Sequence, residues 1–306
     1  MSTRYYIGID LGGTNLKVGL FDTRYRCIDK AFLSTKRFHS RDFLVKAILV
    51  SVHDIIRGKK IALRRVAGIG IGLPGPVDFT RGVVHFFPNI PGWNNVPLKA
   101  ILETRLRLPV SVDNDAKVMC VAEYRLGAAR GAHSAICITL GTGVGGGIIL
   151  DGKLYRGIDN AAGEIGHLPI NEQGPHCNCG GIACLESYVG NQAIAHRVKK
   201  IFRRAIALEE VSRLAHHGDS RALRVWSEVA GHLGAALTAV VNLLNIECVV
   251  IGGGVANAGD VLFDRIREAV ATRAMPVQAR TVRIVPAALG ADAGMIGAAM
   301  LPMLQR

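Results

Sequence analysis

The chain has 306 residues, of which 49% are hydrophobic and 36 are glycine. That length and composition predict a compact α/β protein, large enough for two lobes, and they exclude an intrinsically disordered chain. The formal net charge of +13 raises nucleic acid as a partner, but Lys and Arg are scattered. The densest basic cluster, HRVKKIFRR at 196–204, alternates with apolar residues at helical spacing. This is typical of a solvated helix face, so we expect no nucleic-acid partner.

Seven cysteines, an odd number, argue against a disulfide framework and indicate a reducing, cytoplasmic compartment. Three of them cluster at 177–184. The other four lie in or beside apolar runs and are predicted to be buried thiols: Cys27, Cys120, Cys137 and Cys248. The N-terminal MSTRYYIGIDLGG does not resemble a signal peptide, and no apolar run escapes Gly, Asn or Glu long enough to span a bilayer. We therefore expect no membrane partner.

The first pattern along the chain is a hairpin with glycines in its turn. Tyr5–Asp10 and Lys17–Phe21 are predicted strands, and Leu11-Gly12-Gly13-Thr14-Asn15 lies between them. Glycines let backbone N–H groups approach anionic oxygen, Thr14 adds a hydroxyl donor, and Asp10 can face Mg²⁺. The turn can therefore hold phosphate and metal, although a plain hairpin explains the pattern equally well.

Hydrophobic periodicity predicts two helices and two strands next: Asp42–Gly58, Val66–Ile71, Leu98–Leu106 and Val110–Val112. Two Gly- and Pro-rich loops, GLPGPVD at 72–78 and FPNIPGW at 87–93, are rigid segments where backbone can touch a ligand. Asn89 is the best hydrogen-bonding candidate in the second loop.

The strand at Val110–Val112 stops at Asp113-Asn114-Asp115, before a predicted helix over Ala116–Leu126. Open α/β sheets display reactive groups at the carboxyl ends of their strands. Asp115 also stands at the helix N-terminus, where Asp is a common N-cap, and position alone slightly favours that role. If Asn114 is the cap instead, Asp115 is left to face the cleft.

A second strand–glycine–strand pattern follows. The strand Ala135–Leu140 leads into a loop over Gly141–Gly147, and then into the strand Ile148–Leu150. Two matched hairpins indicate a duplicated fold of two lobes with a nucleotide between them. We place the small lobe at 1–115 and the large lobe at 116–289, with a C-terminal helix in 290–306 packing back on the first.

The rest of the large lobe is predicted to be mostly helical. The predicted helices are Asn191–Ala215, Asp219–Leu244, Asp264–Ala274 and Gly290–Met303, with strands at Glu247–Ile251 and Val282–Pro286. The first of these strands opens into Gly252-Gly253-Gly254, where a flat base or ribose can lie against backbone.

The segment GEIGHLPINEQGPHCNCGGIACLESY at 163–188 contains a dense set of soft metal ligands. Thiolates and neutral imidazole suit zinc, and four residues fit one tetrahedral site: His167, Cys177, Cys179 and Cys184. His176 could compete as the fourth ligand, but it adjoins Cys177 and adjacent side chains diverge. The alternative, ordinary buried cysteines, needs an apolar face that this polar segment lacks. Four protein ligands close the site, which predicts a structural zinc ion.

Two carboxylates flank these ligands. Glu164 and Glu186 would be aimed into a pocket by the metal-tied loop, and a metal-bound His167 keeps its second ring nitrogen as an N–H donor. Carboxylates and an N–H donor around a cleft suit the recognition of hydroxyl groups, so a sugar is the first ligand to consider.

In this order the motifs DLGGTN, NDA, the Gly141–Gly147 loop, EIGH and CxCGxxxCxE resemble the ROK family (repressors, open reading frames, sugar kinases) over essentially the whole chain. The resemblance implies the actin-like, duplicated ribonuclease-H-like fold and ATP-dependent phosphorylation of a hexose. Ala183 stands where the family usually has glycine, and we expect only a slightly different turn. Repressor members carry a winged helix before the GGT motif, for which we expect no room here.

The resemblance also implies a role for each site residue. Asp115 matches the catalytic base. The implied sugar-binding residues are Gly75, Asn89, Asn114, Asp115, Glu164, His167 and Glu186. The implied ATP-binding residues, with Mg²⁺ near the first of them, are Asp10, Gly12, Gly13, Thr14, Asn15, Lys17, Gly141, Thr142, Gly143, Gly253 and Gly254.

Glucose is the leading substrate, because Asn15 follows the GGT motif where fructokinase-like members more often carry Lys. Fructose, mannose, N-acetylmannosamine and N-acetylglucosamine remain alternatives, since they share the same pocket residues. A sugar-sensing regulator without turnover is the alternative from another class. A homodimer or homotetramer is expected.

Overall fold

In a computed structural model of the protein, the described residues are 4–12, 15–34, 40–87, 90 and 92–305. The chain divides into two compact units. The first comprises 1–123, 154–162 and 291–306, and the second comprises 124–153 and 163–290. The division falls inside a helix that begins at Asp115, because that helix buries Val118 against Phe79 and Leu301 of the first unit. The two functional lobes that we predicted from the sequence, 1–115 and 116–289, are a separate division of the chain and stay a prediction.

The strands, in chain order, are β1 Tyr5–Leu11, β2 Asn15–Phe21, β3 Cys27–Ser34, β4 Val66–Leu73, β5 Val77–Asp78, β6 Val83–Phe86, β7 Asn94–Val96, β8 Val110–Asn114, β9 Ala135–Leu140, β10 Val144–Leu150, β11 Lys153–Tyr155, β12 Cys248–Gly252 and β13 Arg283–Pro286. The α-helices are α1 Arg41–Gly58, α2 Leu98–Leu106, α3 Asp115–Arg125, α4 Glu186–Val189, α5 Asn191–Phe202, α6 Leu208–His216, α7 Ser220–Leu244, α8 Asp260–Arg273, α9 Pro276–Thr281 and α10 Ala293–Leu304.

The first unit is built on a five-stranded sheet of order β3-β2-β1-β4-β8. β1, β2 and β3 pair antiparallel, whereas β4 and β8 run parallel to β1. Strands buried on both faces have near-continuous apolar runs, and β4, VAGIGIGL, has that pattern. A small separate sheet of order β5-β6-β7 belongs to the same unit.

Two helices show how this sheet is covered. α1 begins after Ser40, whose hydroxyl accepts the N–H of Phe43 as an N-cap, and it packs Leu44, Ile48 and Val52 into the core. On α10 the backbone itself approaches the strands. A Cβ atom at Gly8 would collide with the carbonyl oxygen of Met295, so β1 can lie this close to α10 only because Gly8 has no side chain.

The second unit repeats the topology of the first. Its sheet has the order β11-β10-β9-β12-β13, with β9 and β10 antiparallel and β12 and β13 parallel to β9. The central helix α7 begins at the N-cap Asp219 and has 25 residues, of which eleven are buried. Trp226, Leu233 and Leu237 are among those in the core.

The helix α7 also departs from an expectation. By length and composition alone it could cross a membrane, whereas no run of the sequence was expected to be long enough. Its burial supplies the physical reason for its apolar character, since the core helix of a globular unit needs the same composition.

Three details that we predicted from the sequence are wrong. The expected loop Gly141–Gly147 ends at Gly143, because residues 145–147 pair with β9 as part of β10. The helix predicted over 191–215 is two helices, because an unbroken helix would put the buried side chains of Phe202 and Val211 about 180° apart. Cys27 was expected to be a buried thiol but is exposed at the start of β3.

Candidate functional site

The hairpin of the first unit ends in an ion pair. Asp10 on β1 lies opposite Lys17 on β2, and the Lys17 Nζ is 3.3 Å from the Asp10 Oδ2. The same ammonium donates to the carbonyl oxygen of Ala291 at 2.7 Å. Burial raises the pKa of Asp10, and the charge of Lys17 offsets part of that shift. Carboxylates at positions where burial disfavours their charged form are frequent in functional sites.

The turn between these strands is closed by one backbone hydrogen bond. The N–H of Gly12 donates to the carbonyl oxygen of Asn15 at 2.9 Å. Asn15 itself is exposed at the first position of β2. Gly13 and Thr14, the other predicted phosphate-binding residues of this turn, lie outside the described residues, as does Asn89.

The connection between β8 and α3 arranges Asn114 and Asp115. The Asn114 Oδ1 accepts the backbone N–H groups of Ala116 at 3.0 Å and Lys117 at 3.3 Å. Its Nδ2 donates to the carbonyl oxygen of Gly75 at 3.2 Å, which links the two predicted sugar-binding residues. The Asp115 Oδ1 also accepts the N–H of Ala116, at 2.8 Å. Asn114 is therefore the N-cap of α3, and Asp115 is the first residue of the helix.

One step back along β8 lies a carboxylate that motif reasoning missed. Asp113 is fully buried, and its Oδ2 is 2.7 Å from a terminal guanidinium nitrogen of Arg156. Burial raises the pKa of Asp113, against the opposing charge of Arg156. The acidic residue in the apolar strand VSVDN is a usable signal, but Arg156, which is 43 residues away, had none.

In the second unit, Glu186 is attached to the glycine turn. The turn Gly141–Gly143 joins β9 to β10, and the N–H of Val144 donates to the Glu186 Oε2 at 2.8 Å. A Cβ atom at Gly143 would lie 2.6 Å from the same oxygen. Glu186 therefore reaches the turn only because residue 143 is glycine. Thr142, at the tip of the turn, is exposed.

The end of β12 lies beside the same turn. Gly253 has φ +89°, and a Cβ atom there would collide with the carbonyl oxygen of Leu140, the last residue of β9. Gly254 has open space next to its Cα atom. The structure thus brings the predicted nucleotide-contacting glycines of this unit, residues 141, 143, 253 and 254, to one edge of one sheet.

The EIGH motif packs against the start of β10. Ile165–His167 forms a single 3₁₀ turn, with the N–H of His167 donating to the carbonyl oxygen of Glu164 at 3.0 Å. A Cβ atom at Gly166 would collide with the carbonyl oxygen of Val144, so glycine is needed for this contact. Glu164 is exposed and His167 is half-buried.

The predicted metal ligands meet in space. The donor atoms of four residues all lie within 4.8 Å of one another: His167, Cys177, Cys179 and Cys184. His176 is not in this group and pairs instead with Ile182 in a short β-bridge. The backbone N–H of Gly181 donates to the Cys179 sulfur at 3.4 Å, which stabilises a thiolate there.

The spacing of these donors fits zinc. Zn–S bonds of about 2.3 Å and Zn–N bonds of about 2.0 Å place tetrahedral ligands about 3.5–3.8 Å apart. The Cys177 Sγ is 3.7 Å from the His167 Nδ1, and the Cys179 Sγ is 3.6 Å from the Cys184 Sγ. Burial and the neighbouring sulfurs raise the pKa of Cys184 to about 12, so its thiolate form needs a cation.

Ala183, beside the third cysteine, has φ +55°. This is the left-handed conformation that glycine adopts freely and that costs other residues roughly 1–2 kcal/mol. The turn therefore keeps a glycine-like backbone although the residue is alanine. From it the N–H of Leu185 donates to the carbonyl oxygen of Leu168, which ties the cysteine loop to the EIGH segment.

Comparison with known proteins connects the chain to one family. It matches the ROK family over residues 6–304. A glucokinase from Halalkalibacterium halodurans is 36% identical over 98% of this chain and 96% of its own length. A xylose repressor from Caldicellulosiruptor bescii is 30% identical over 91% of this chain and 73% of its own length.

A solved structure shares the fold. The crystal structure of a ROK family glucokinase from Streptomyces griseus, in complex with glucose and AMPPNP, has a TM-score of 0.82 and 34% identity. The alignment covers 98% of this chain and 99% of that one. The expected actin-like, ribonuclease-H-like duplicated fold is confirmed by this likeness and by the repeated strand order of the two sheets.

Proposed function

Because the chain belongs to the ROK family, we propose that it transfers the γ-phosphoryl group of ATP to a hydroxyl group of a hexose. The observation that carries this proposal is the connection between β8 and α3. Asn114 makes two of the capping hydrogen bonds of α3, so the helix start does not depend on Asp115 alone. A carboxylate placed at the carboxyl end of a parallel strand can then act on a substrate.

In this reaction Asp115 is the general base. It accepts the proton of the sugar hydroxyl as that oxygen attacks the γ-phosphorus, which leaves ADP as the other product. The N–H of Ala116 holds one carboxylate oxygen of Asp115, so the base has a fixed orientation. Phosphoryl transfer asks the protein mainly for such positioning and for neutralisation of charge.

The sugar is held by side chains with different hydrogen-bonding capacities. Glu164 and Glu186 accept hydrogen bonds from hydroxyl groups, whereas Asn114 can both donate and accept. His167 contributes its Nε2, because its Nδ1 is the ring nitrogen next to the Cys177 sulfur. With Gly75 and Asn89 these groups form the proposed sugar site.

The phosphates of ATP are held by backbone. The turns at Gly12–Asn15 and Gly141–Gly143 offer N–H groups, Thr14 and Thr142 offer hydroxyl groups, and the ammonium of Lys17 offers a positive charge. Gly253 and Gly254 leave flat backbone for the base or ribose. Both turns end β-hairpins of the same strand topology, which supports a matched role in holding phosphate.

Two metal ions belong to the proposal. Mg²⁺ prefers a carboxylate together with phosphate oxygens, and Asp10 offers the carboxylate; the ion neutralises phosphate charge. The Cys₃His set suits Zn²⁺ in both chemistry and spacing. With four protein ligands that ion has a structural role, which is to tie the loop carrying Glu186 to the segment carrying His167.

Glucose is the proposed hexose. Asn15 after the GGT motif and the identity with a glucokinase over almost the whole chain support it. Fructose, mannose and the N-acetylated hexosamines are the alternatives, because they would use the same groups. We propose that the enzyme acts in the cytoplasm as a homodimer or homotetramer.

A sugar-sensing regulator is a second candidate, favoured by the 30% identity with a xylose repressor. Such a protein would bind a sugar without turnover. A regulator that binds DNA would also need basic residues arranged along a groove. In α5, the helix of the densest basic cluster, Val198 and Phe202 face the core while Lys199 and Lys200 are exposed.

One assay separates these functions. ADP release is measured with ATP, Mg²⁺ and each sugar of a panel containing glucose, fructose, mannose, N-acetylmannosamine, N-acetylglucosamine and xylose. A kinase gives sugar-dependent ADP and a phosphorylated product, with glucose giving the highest kcat/KM. Calorimetric binding of a sugar with an ADP signal no greater than the ATP-only background would contradict the kinase and favour the regulator.

A further inference from the structure

A short turn of the chain is attached to the connection that carries Asp115. Residues 156–162 follow β11 and belong to the first compact unit, and the chain continues from them into Gly163 and Glu164. The N–H of Ala162 donates to the carbonyl oxygen of Arg156 at 2.9 Å, which closes the turn. Gly157 and Asn160 adopt positive φ angles of +70° and +59° within it.

Arg156 holds one end of this turn. Its guanidinium stacks on the ring of Phe79, 3.7 Å from the ring centroid, while one terminal nitrogen contacts the Asp113 carboxylate at 2.7 Å. Phe79 is itself packed against Val118 and Leu301 in the core. Planar stacking and a directed ion pair together fix the position of the guanidinium.

Lys117 holds the other end. This lysine of α3 is only 3% exposed, and its Nζ donates to the carbonyl oxygen of Asn160. Buried ammonium groups are rare and need such acceptors. Asp113, one residue before Asn114, and Lys117, two residues after Asp115, therefore both contact the 156–162 turn.

Asp113 links Arg156 to the backbone of the connection between β8 and α3. While its Oδ2 contacts Arg156, its Oδ1 accepts the N–H of Asn114 at 2.8 Å. The same carboxylate thus connects the guanidinium to the peptide group that precedes Asn114. Without Arg156, Asp113 would be a buried charge without this counter-charge, and it would have to take up a proton or turn away.

We infer that Arg156 is a positioning residue for phosphoryl transfer: acting through Asp113, it fixes the backbone that presents Asn114 and Asp115. This inference rests on the proposed function, in which Asp115 is the base. Arg156 touches Asp113 and Phe79, so its effect is indirect.

Three variants test this. Arg156→Met keeps a stem that can lie on Phe79 but removes the charge, and Arg156→Lys keeps the charge but loses the planar fork. Arg26→Met is the matched control, because Arg26 makes an ion pair of the same 2.7 Å length with Asp22, but on the exposed surface of the same unit. Thermal melts identify a temperature at which every variant is folded.

Steady-state kinetics at that temperature give the answer. We expect Arg156→Met to lower kcat by roughly tenfold or more and to raise the sugar KM, since small misplacements of reacting groups have such effects. The ATP KM should stay within about twofold. Arg156→Lys should recover part of kcat, a rescue that loss of stability alone does not predict. Arg26→Met should match the wild type.

If Arg156→Met does not fold, the double variant Asp113→Asn with Arg156→Met removes the uncompensated charge and is measured instead. A folded variant of either kind with wild-type kcat and sugar KM would overturn the inference while leaving the proposed function standing. A wild-type protein that phosphorylates no sugar would overturn the proposed function first, and the inference with it.

Discussion

The two hairpins that open the two sheets have the same topology but different side chains. The last paired residues are Leu11 with Leu16 in the first unit and Leu140 with Val144 in the second. One pair earlier, the first hairpin has Asp10 facing Lys17, whereas the second has Thr139 facing Gly145. The first turn is thus flanked by an ion pair and the second by neutral residues.

The parallel strands at the far edge differ in the same way. β8 of the first unit ends in Asp113 and Asn114 and leads into Asp115, whereas its counterpart β13 ends at Pro286. The second unit instead brings Glu186 to its turn from a loop that the cysteines tie together. Duplicated folds therefore need not have duplicated chemistry: ionisable groups at strand ends distinguish one unit, and backbone turns with a cross-linked loop distinguish the other.

Among the substitutions that test this contrast, Asp115→Asn is expected to have the largest effect. Asparagine can accept the same hydrogen bond from the N–H of Ala116, but it cannot take up the proton, so we expect kcat to fall roughly 10²-fold or more with little change in the melting temperature. Steady-state kinetics and thermal melts measure the two effects. Asp54→Asn, on the exposed part of α1, is the control. Near-normal turnover would reduce Asp115 to a structural residue at the helix start and remove the chemical distinction of the first unit.

The next test concerns the cross-linked loop of the second unit. Cys179→Ser should lower the zinc content below one ion per chain and weaken sugar binding by roughly tenfold, because metal ligands and their supports control the geometry around them. Nucleotide binding should stay within about twofold. Metal analysis and calorimetry check this, with Cys27→Ser as control because Cys27 is also exposed. Unchanged sugar affinity in metal-free protein would separate the loop from recognition.

A smaller effect is expected from the glycine turn itself. In Gly143→Ala the new methyl group must displace the Glu186 carboxylate, whereas in Gly141→Ala it enters open space. Neither glycine has a positive φ, so alanine itself fits both backbones. We expect the sugar KM to rise several-fold, up to about tenfold, for Gly143→Ala only. Equal kinetics for both variants would show that contact between Glu186 and the turn is not needed.

The smallest effect separates a carboxylate of the first unit whose pKa is raised from one of the second unit whose pKa is lowered. The pKa of Asp10 in the folded protein is raised above its ordinary value of 3.8. Protonated Asp10 therefore contributes stability below pH 3.8, and this contribution is lost as the pH rises through the folded pKa. Asp10→Asn should therefore gain stability relative to wild type as the pH rises above 3.8, while activity falls. Thermal melts across that range measure the difference.

Asp219, the N-cap of α7, provides the opposite sign. Its hydrogen bond with the Arg221 side chain and the N–H of Ala222 lower its pKa to about 2, so its contribution is present above 3.8 and is lost as the pH falls towards 2. Asp219→Asn should lose stability relative to wild type at neutral pH and match it near pH 2. If Asp10→Asn behaved in the same way, the ion pair with Lys17 would outweigh the burial of Asp10.

Local patterns predicted most of the elements. α2 and β9 have the predicted bounds, because apolar spacing and flanking Gly or Pro residues specify both ends. The possibility that Asn114 caps α3 also came from local chemistry. The Cys₃His ligand set could be recognised because zinc needs particular donors in a short stretch, whatever the path of the chain between them.

Contacts distant in sequence could not be predicted. The glycines at 145–147 have poor strand propensity, yet they pair with β9. Gly146 is glycine because Gly163 approaches so closely that a Cβ atom would lie 2.5 Å from its carbonyl oxygen. The partner of Asp113 is likewise set by the tertiary fold. The exposed position of Cys27 follows from its place on the edge strand β3, which an apolar neighbourhood in the sequence does not indicate.

The helix α10 has a consequence for the synthesis of the protein. It buries Met295 and Ala299 against Tyr6 and Phe21, so the first unit is completed by residues that leave the ribosome after the whole second unit. At a translation rate of roughly 5–20 residues per second, the segment 124–290 takes about ten to thirty seconds. During that interval the face of the strands at Tyr6 and Gly8 lacks the helix that covers it, although α1 is already available for the face of Ile7 and Ile9. The unit that is begun first is therefore finished last, and a chaperone that shields nascent apolar strands would act on the N-terminal half.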